Sequence, residues 1–144
     1  MDRYANIHWH GNFKEGSGRI STQSRALENV DYSYKKRFGS EEGTNPEELI
    51  AAAHGACFSM AFANELTERN LEVESIDVNC KVTIKNLEIT DSYLEVKVSV
   101  PGGNQKNVEE AALQAKENCP VSKVLDCNIV MDLNIENSFQ AELS

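Results

Sequence analysis

The chain has 144 residues, a length typical of one domain with a hydrophobic core of its own. Its 23 acidic residues outnumber its 14 basic ones, and the net charge of -9 repels phosphate backbones and anionic lipid surfaces. The N-terminus has no apolar leader-like stretch, and the longest apolar run is shorter than the roughly 18 to 20 residues of a membrane span. We therefore expect a single cytoplasmic domain, 1–144, that binds neither nucleic acid nor membrane.

The N-terminal segment predicts a β-hairpin. Ala5, Ile7 and Trp9 alternate with polar residues, and the Gly-containing EGSG at 15–18 precedes a second polar segment, RISTQS. Alternation with a period of two residues indicates a strand, and a short Gly-containing segment indicates a turn. We therefore expect two antiparallel strands in this part of the chain.

The next predicted element is a helix with a well-defined start. Asn45 suits the N-cap and Pro46 suits the first helical position. Glu48 occupies the capping-box position, from which a carboxylate reaches back to the backbone of the N-cap. The helix is predicted to continue to about Asn70.

This helix carries the most apolar segment of the chain, because the fifteen residues from Leu49 to Ala63 include no charged side chain. A helix that is apolar on every face must be covered on every face, whereas one small antiparallel sheet covers only one. The small residues of the segment, Gly55 among them, let another backbone approach closely. We therefore expect a homodimer in which the same helix of a second copy completes the core.

The second half of the chain predicts an α+β arrangement of sheets packed on helices. SIDVNCKVTIK at 75–85 and SYLEVKVSV at 92–100 both alternate cleanly and predict an antiparallel hairpin. A helical stripe follows and ends before Pro120, which disfavours helical geometry at the preceding residue. The apolar positions of that stripe are Val108, Ala111, Ala112, Ala115 and Cys119. A short helical turn from Pro120 to Leu125 is followed by a last strand, whose inward residues are Ile129, Met131, Leu133 and Ile135.

Cys57 is the residue whose chemistry most needs an explanation. It lies on the apolar helix, where a small core residue is the simplest interpretation. Because a helix lowers the pKa of a thiol mainly at its N-terminus, a reactive Cys57 needs a cation from elsewhere. Cys119 ends the apolar stripe of the second helix, so both sulfurs are expected to point into the same core.

Two further interpretations of these residues stay open. His54 precedes Cys57 by three residues, the spacing at which helical side chains meet, so a Cys-His enzyme for acyl transfer is conceivable, although no orienting acid is apparent. A metal site formed by Cys57, His54, Cys119 and Cys127 is the other, although the spacing matches no zinc pattern. Without such a role, His54 is interpreted as a packed or dimer-facing residue and Cys80 as part of the core.

Several motifs, in the same order along nearly the whole chain, closely resemble the OsmC family. This family comprises osmotically inducible thiol peroxidases that are related to the organic hydroperoxide resistance proteins. The motifs are the HWHGNFKEGSGRIST opening, Arg-Phe-Gly at 37–39, TNPEELIAAAHGACFSMAF and NCPVSKVL. Two cysteine motifs at this separation, with the upstream Arg and the NPEEL helix start, make the resemblance specific.

The resemblance implies an OsmC-like fold, with antiparallel sheets wrapped around buried central helices in an intertwined homodimer. It also implies a two-cysteine peroxidase that uses no metal or other cofactor. Matched by motif, Cys57 corresponds to the peroxidatic cysteine and Cys119 to the resolving cysteine, while Arg37 and Glu47 correspond to the activating pair. The implied partners are an organic hydroperoxide substrate and a dithiol reductant, for example of the lipoyl type.

The chemistry of the residue types fits these roles. A Cys57 thiolate attacks the terminal peroxide oxygen to give a sulfenic acid and an alcohol, and Cys119 then closes a disulfide and expels water. Apolar burial raises the pKa of a thiol, so a guanidinium such as that of Arg37 is needed to keep Cys57 ionised. Ten helical residues place Glu47 about 15 Å from Cys57, so we hypothesise that Glu47 orients Arg37 and that two subunits share the site.

The apolar residues near Cys57 bear on the choice of substrate. A lining from Phe58 and Met60 favours organic hydroperoxides over hydrogen peroxide, because an alkyl tail gains roughly 0.8 kcal/mol per buried methylene. The same two residues are equally consistent with ordinary core. Non-catalytic binding of an apolar ligand at the dimer interface is the alternative function, because a fold alone does not determine chemistry.

Overall fold

A computed structural model of the chain describes residues 1–136. The described chain is of the α+β class, as the sequence predicts. Its elements in chain order are β1 (Ala5–His10), β2 (Ser17–Thr22), β3 (Val30–Ser33), α1 (Tyr34–Phe38), α2 (Pro46–Glu68), β4 (Ser75–Lys85), β5 (Glu88–Ser99), α3 (Gln105–Asn118), α4 (Pro120–Val124) and β6 (Asn128–Glu136). The contacts divide the chain into an N-terminal unit, residues 1–49, and a C-terminal unit from residue 50 onward. The single domain 1–144 stays a prediction, and its last eight positions lie outside the described residues.

The N-terminal unit contains an antiparallel sheet in the order β1-β2-β3. The predicted hairpin is confirmed, with Ile7 opposite Ile20 and Trp9 opposite Gly18. The Trp9 and Tyr32 rings lie 5.5 Å apart over Gly18, where a Cβ atom meets Trp9 Cε3 at 2.8 Å, so a side chain at this position forces the rings to move. Every residue of β1 is nevertheless exposed.

The two ends of α2 follow from local sequence. The Asn45 side chain accepts a hydrogen bond from the Glu48 backbone N–H at 2.8 Å, which confirms the predicted N-cap. The Glu48 carboxylate accepts a hydrogen bond from the Thr44 hydroxyl at 2.9 Å, so its capping-box role is replaced by a bond between side chains. The helix ends at Glu68, and Asn70 then adopts a left-handed conformation with φ +60°, which is typical of a Schellman C-cap.

The C-terminal unit contains a mixed sheet in the order β4-β5-β6. The predicted hairpin of β4 and β5 is confirmed, with Cys80 opposite Leu94. It turns at Asn86 and Leu87, which both have positive φ, as a two-residue hairpin loop of type I′ requires. β6 pairs with β5 in parallel, which corrects the expectation of purely antiparallel sheets. Between the two strands, α3 and α4 carry the chain back to the end of the sheet at which β5 begins. β6 therefore starts at that end and runs in the same direction as β5.

The hydrophobic core of the C-terminal unit lies between one face of this sheet and the helices. His54, Phe58, Phe62 and Leu66 recur every four residues along α2 and are fully buried. The inward residues of β5 and the apolar stripe of α3 match the prediction. They are Leu94, Val96, Val98 and Val100 of the β5 segment and Val108, Ala111, Ala112, Ala115 and Cys119 of the α3 segment.

The opposite face of α2 is not covered within one chain. Ala52, Ala53 and Ala56 are exposed, and Met60 is 77% exposed. Gly55 faces the other way, because a Cβ atom there lies 3.4 Å from the Cβ atom of Cys80 on β4. The burial on every face that the sequence predicts for this helix is therefore incomplete in the single chain. Among residues 1–136, no helix combines the length and the hydrophobicity that crossing a bilayer requires.

Candidate active site

The two cysteines singled out from the sequence lie in contact in the C-terminal unit. Cys57 lies about three turns into α2 and is partly exposed, whereas Cys119 lies between α3 and α4 and is fully buried. Both are thiols, and Cys57 packs against the core that contains Cys119, close enough for the Cys119 thiol to raise the pKa of Cys57. Two thiols in contact are able to exchange between a reduced state and a disulfide, so this pair is the core of a candidate redox site.

Local sequence explains how Cys119 is held. Pro120 disfavours helical geometry at the preceding residue, and Cys119 accordingly ends α3 with an extended backbone, φ -64° and ψ 135°. Its own backbone N–H donates to the Ala115 carbonyl at 3.0 Å. Its sulfur serves as the N-cap of α4 and accepts a hydrogen bond from the Ser122 backbone N–H at 3.4 Å. Cys119 is therefore fixed from both sides, by the end of one helix and the start of the next.

The surroundings of Cys57 within its unit favour the protonated thiol. Burial raises the pKa of Cys57 above its ordinary value, and the neighbouring Cys119 thiol raises it further. A hydrogen bond from the Val121 backbone N–H acts in the opposite direction and lowers this pKa, but its effect is smaller than that of burial. Because the thiolate is the nucleophilic form, a peroxidatic Cys57 needs an additional positive charge.

A buried hydrogen-bond network extends from Cys119 away from Cys57. The His54 ring is fully buried, with Nδ1 at 2.6 Å from the Ser92 hydroxyl and Nε2 at 2.9 Å from the Ser122 hydroxyl. The Ser122 hydroxyl in turn lies 3.2 Å from the Cys119 sulfur. On the other side, the Ser92 hydroxyl lies 3.3 Å from the sulfur of Cys80. Burial lowers the pKa of His54, so its imidazole is neutral near neutral pH.

The sequence reasoning missed both serines, Ser92 and Ser122. Ser92 lies on β5, thirty-eight residues from His54, and no sequence pattern relates the two positions. Ser122 follows Cys119 by three residues, which is the spacing of an N-cap and the residue that donates to it. That spacing is the signal that was available for Ser122.

The network agrees with the interpretation of His54 as a packed residue and not with the alternative in which it pairs with Cys57. Both ring nitrogens of His54 are bonded to serine hydroxyls, so the imidazole is packed and is not the base of a direct pair with Cys57. Among residues 1–136, no group of three or more His, Cys, Asp and Glu side chains is arranged to hold a metal ion. Cys80 is only partly buried and takes part in the network, which adds a polar contact to its predicted core role.

The other two predicted site residues form an ion pair in the N-terminal unit. Arg37 lies on α1, a short helix that begins after the Ser33 N-cap and that the sequence analysis did not predict. The Arg37 Nε–H donates to both carboxylate oxygens of Glu47, at 2.9 and 3.2 Å. Both bonds come from Nε, so Glu47 holds one edge of the guanidinium, and the terminal nitrogens lie outside the pair. The Glu47 side chain is only 9% exposed, which shields this pair from solvent better than a surface ion pair.

One aromatic ring contacts the guanidinium and belongs to a small aromatic cluster that was also missed from sequence. The Arg37 guanidinium carbon lies 4.8 Å from the centre of the Phe38 ring, a distance typical of a cation-π contact. Phe13 packs edgewise against Tyr34 and Phe38, and Tyr34 packs against Phe38 in a tilted arrangement, with ring centres 5.1 to 6.3 Å apart. This cluster, together with Glu47, restricts the orientation of Arg37.

The two residues considered as a substrate lining have different environments. Phe58 is fully buried, packs against Phe62 with ring centres 5.6 Å apart, and belongs to the core. Met60 is 77% exposed on the uncovered face of α2. The core interpretation is therefore the correct one for Phe58, and Met60 is available to a ligand or to a second protein chain.

Comparison with known proteins gives a consistent result along most of the sequence. A family model described as OsmC-like protein matches residues 39–134. The chain is 40% identical over 134 residues to Peroxiredoxin OsmC of Escherichia coli (strain K12), which covers 90% of this chain and 94% of that protein. It is 30% identical over 123 residues to Organic hydroperoxide resistance protein-like 1 of Staphylococcus saprophyticus, with 83% of this chain and 86% of that protein covered.

The fold is also similar to that of solved structures. The crystal structure of the organic hydroperoxide resistance protein OhrB of Bacillus subtilis superimposes with a TM-score of 0.63 and covers 92% of this chain and 98% of that chain. The sequence identity in that superposition is 23%, so this similarity supports the fold alone.

Proposed function

As a member of the OsmC family, the chain is a thiol-dependent peroxidase, and we propose that it reduces organic hydroperoxides to alcohols through Cys57 and Cys119. The observation that carries the proposal is that the two thiols lie next to each other, one partly exposed and the other fully buried. A substrate reaches the partly exposed Cys57, and the buried Cys119 is already in position to react with Cys57 once Cys57 is oxidised. The names of the relatives, peroxiredoxin and organic hydroperoxide resistance protein, describe the same chemistry.

The oxidative half of the cycle has two steps. The Cys57 thiolate attacks the terminal peroxide oxygen, the O–O bond breaks, and the alkoxide leaves with a proton as the alcohol. Cys57 becomes a sulfenic acid. Cys119 then attacks the sulfenic sulfur, the S–O bond breaks, and water leaves as the Cys57–Cys119 disulfide closes.

The reductive half consumes an external dithiol. One of its thiolates attacks the protein disulfide, its second thiol resolves the mixed disulfide, and two protein thiols and an oxidised donor result. We propose a lipoyl-type dithiol as this donor and the cytoplasm as the place of the reaction, because reducing compartments keep such donors reduced. Reduction by a lipoyl donor at least about tenfold faster than by glutathione supports this choice, and equal rates contradict it.

We assign Arg37 and Glu47 to the activation of Cys57. The pKa of Cys57 is raised by burial, so ionisation near neutral pH needs a cation, and a guanidinium is permanently charged. Glu47 fixes one edge of Arg37 through Nε, which keeps the terminal nitrogens available to hydrogen-bond a peroxide. Mixing Cys57→Ser and Arg37→Ala proteins tests whether two subunits share the site, because restored activity after subunit exchange requires sharing.

We also propose that the protein is a homodimer. The uncovered face of α2 is made of small and apolar residues, and leaving it in water is unfavourable. Ala56→Glu places a charge on this face and is expected to give monomers by sedimentation velocity at micromolar concentration. Gln114→Glu adds the same charge to an exposed position of α3 and is the matched control. A wild-type protein that sediments as a monomer contradicts the proposal.

The main experiment measures peroxide consumption with a dithiol donor. We expect Cys57→Ser to abolish turnover, Cys119→Ser to stop it after sulfenic acid formation, and Cys127→Ser to leave it within about threefold of wild type. An alkyl hydroperoxide is expected to react faster than hydrogen peroxide, by about fourfold per buried methylene. Unchanged peroxide consumption in Cys57→Ser contradicts a thiol mechanism, and no consumption by the wild type favours the non-catalytic binding of an apolar ligand.

A further inference from the structure

Four residues of the C-terminal unit form a continuous polar path that ends at the resolving thiol. The path runs from the Cys119 sulfur to the Ser122 hydroxyl at 3.2 Å, on to His54 Nε2 at 2.9 Å, and from His54 Nδ1 to the Ser92 hydroxyl at 2.6 Å. All four side chains are buried, with exposed fractions of 0 to 8%. Each of these distances is within hydrogen-bond range for its pair of atoms.

The path has only two consistent proton arrangements because a neutral imidazole has one donor and one acceptor nitrogen. In the first arrangement, Nδ1–H donates to Ser92, and Nε2 accepts from the Ser122 hydroxyl, whose oxygen accepts from the Cys119 thiol. In the second, Nε2–H donates to Ser122, and the Ser122 hydroxyl donates to the Cys119 sulfur. The first arrangement is ready to remove the thiol proton, and the second is ready to return it.

We propose that His54 and Ser122 form a proton relay that activates Cys119 for disulfide closure. This inference rests on the proposed function, since it concerns the disulfide that the peroxidase cycle closes. His54 does not touch the reacting sulfurs and acts through Ser122, so it is a positioning residue and a proton acceptor for the resolving step.

The step balances without any additional reactant. As Cys119 attacks the Cys57 sulfenic acid, its thiol proton passes to the Ser122 oxygen, and the Ser122 hydroxyl proton passes to His54 Nε2. The new S–S bond forms while the S–O bond breaks. His54 then returns its proton to the Ser122 oxygen, the Ser122 hydroxyl gives a proton to the departing hydroxide, which leaves as water, and His54 becomes neutral again.

Two more contacts fit this role better than a purely structural one. The Ser122 backbone N–H lies 3.4 Å from the Cys119 sulfur and is directed at the atom where negative charge develops during the attack. The groups that face the His54 ring are Cys80 from β4, Ser92 from β5 and Ser122 from α4. These three are uncharged near neutral pH, so no formal charge on them fixes the protonation state of the ring.

The test compares two buried serines that are both bonded to His54. Ser122→Ala breaks the path to Cys119, whereas Ser92→Ala removes the other hydroxyl and leaves that path intact. His54→Gln keeps hydrogen-bonding groups but accepts no proton. In single-turnover quenched-flow experiments with an alkyl hydroperoxide, intact mass separates sulfenic acid formation from disulfide closure. We expect closure to slow by about 10- to 100-fold in Ser122→Ala and His54→Gln and by less than about threefold in Ser92→Ala.

The pH profile separates a relay from simple packing. With the relay, wild-type closure is expected to change little between about pH 7 and 9, because His54 is the acceptor and its pKa lies below its ordinary value. Without the relay, closure in Ser122→Ala depends on hydroxide and rises with pH. Equal rates and equal pH profiles in Ser122→Ala and wild type overturn the inference, and so does a loss in Ser92→Ala as large as that in Ser122→Ala.

A second arm needs no peroxide and therefore tests the relay apart from the proposed function. A nitrophenyl disulfide reagent converts Cys57 to a mixed disulfide, and attack by Cys119 releases a second coloured thiol. Cys119→Ala identifies that release, because the variant lacks it. Release that is slowed about 10- to 100-fold in Ser122→Ala and His54→Gln, and by less than about threefold in Ser92→Ala, supports the relay even if the wild type consumes no peroxide. Wild-type closure rates in Ser122→Ala and His54→Gln overturn it even if peroxidase activity is present.

Discussion

The two sheets of the molecule both have three strands, yet their environments differ sharply. Every residue of β1 in the N-terminal sheet is exposed, and Ile7 keeps 57% of its surface in solvent. In the C-terminal sheet, Leu94 and Val98 on β5 are exposed by no more than 1%. The C-terminal unit therefore has a core of its own, whereas the apolar residues of β1 in the N-terminal sheet are left exposed in the single chain.

The functional groups follow the same division. All four cysteines and the His54 network belong to the C-terminal unit, where burial raises the pKa of Cys57, Cys80 and Cys127. Arg37 and Glu47 belong to the N-terminal unit, where Arg37 is about one-third exposed. The thiols are therefore positioned by packing, whereas the Arg37 guanidinium is positioned by an ion pair and an aromatic contact. The two groups should therefore respond differently to mutation.

The largest expected effect comes from truncating the same residue type in the two units. Phe62 is fully buried, and Phe62→Ala is expected to lower the free energy of unfolding by about 3–5 kcal/mol. Phe13 is 57% exposed, and Phe13→Ala is expected to lower it by about 1 kcal/mol or less, through its ring contacts. Urea unfolding under reducing conditions measures both. Similar losses in the two variants contradict the difference in burial.

The next effect separates activity from stability. Glu47→Gln removes the charge that holds Arg37 and is expected to slow the formation of the Cys57 sulfenic acid by about 10- to 100-fold, which corresponds to about 1.4–2.7 kcal/mol. Glu48→Gln changes the adjacent carboxylate, which bonds Thr44, and is the matched control. Single-turnover kinetics with an alkyl hydroperoxide give both rates. If the two variants react equally fast, Glu47 has no part in activation.

Local signals made much of the fold predictable. Asn45 and Pro46 determine the start of α2, and the alternation at 75–85 gives the exact bounds of β4. The parallel pairing of β6 was not predictable from its own residues, because its direction is set by the helical connection that precedes it. α1 was missed because a helix of five residues has almost no periodicity and depends on Ser33 and Gly39 as caps.

The candidate site was predictable in part. Cys57 and Cys119 were identified from their motifs, and the expectation that both sulfurs point into one core agrees with their packing in the same hydrophobic cluster. Ser92 could not be found, since its contact with His54 depends on how β5 packs against α2. The exposure of Ala56 on α2 was also missed, because the sequence shows that the helix is apolar but not which face its own chain covers. The roles of Cys57, Cys119, Arg37 and Glu47 stay predictions.

A smaller effect concerns pH and the buried thiols. Below the ordinary thiol pKa of 9.0, Cys80 is protonated in both the folded and unfolded chain, so the stabilising contribution of burial is fully present. Above pH 9.0, the Cys80 thiol ionises in the unfolded chain before it ionises in the folded one. The free energy of unfolding therefore falls as pH rises, until pH has passed the higher pKa of the folded chain. The loss is at most about 1.4 kcal/mol per pH unit per thiol. Urea unfolding at about pH 8, 9 and 10 should show a shallower decline for Cys80→Ala than for wild type, with Val78→Ala on the same strand as control. An unchanged slope in Cys80→Ala contradicts this linkage.

The smallest effect is expected from Gly55→Ala, and a glycine-to-alanine substitution in the other unit provides the contrast. A Cβ atom at Gly55 lies 3.4 Å from Cys80 Cβ and 3.6 Å from Val78 Cγ1, which are ordinary packing distances. Because Ala is the better helix former, Gly55→Ala is expected to stabilise the protein by about 0.5–1 kcal/mol. At Gly18, the added Cβ meets the rigid rings of Trp9 and Tyr32, so Gly18→Ala is expected to destabilise it. Thermal unfolding of both variants checks the opposite signs. A destabilised Gly55→Ala protein means that α2 and β4 pack more tightly than these distances allow.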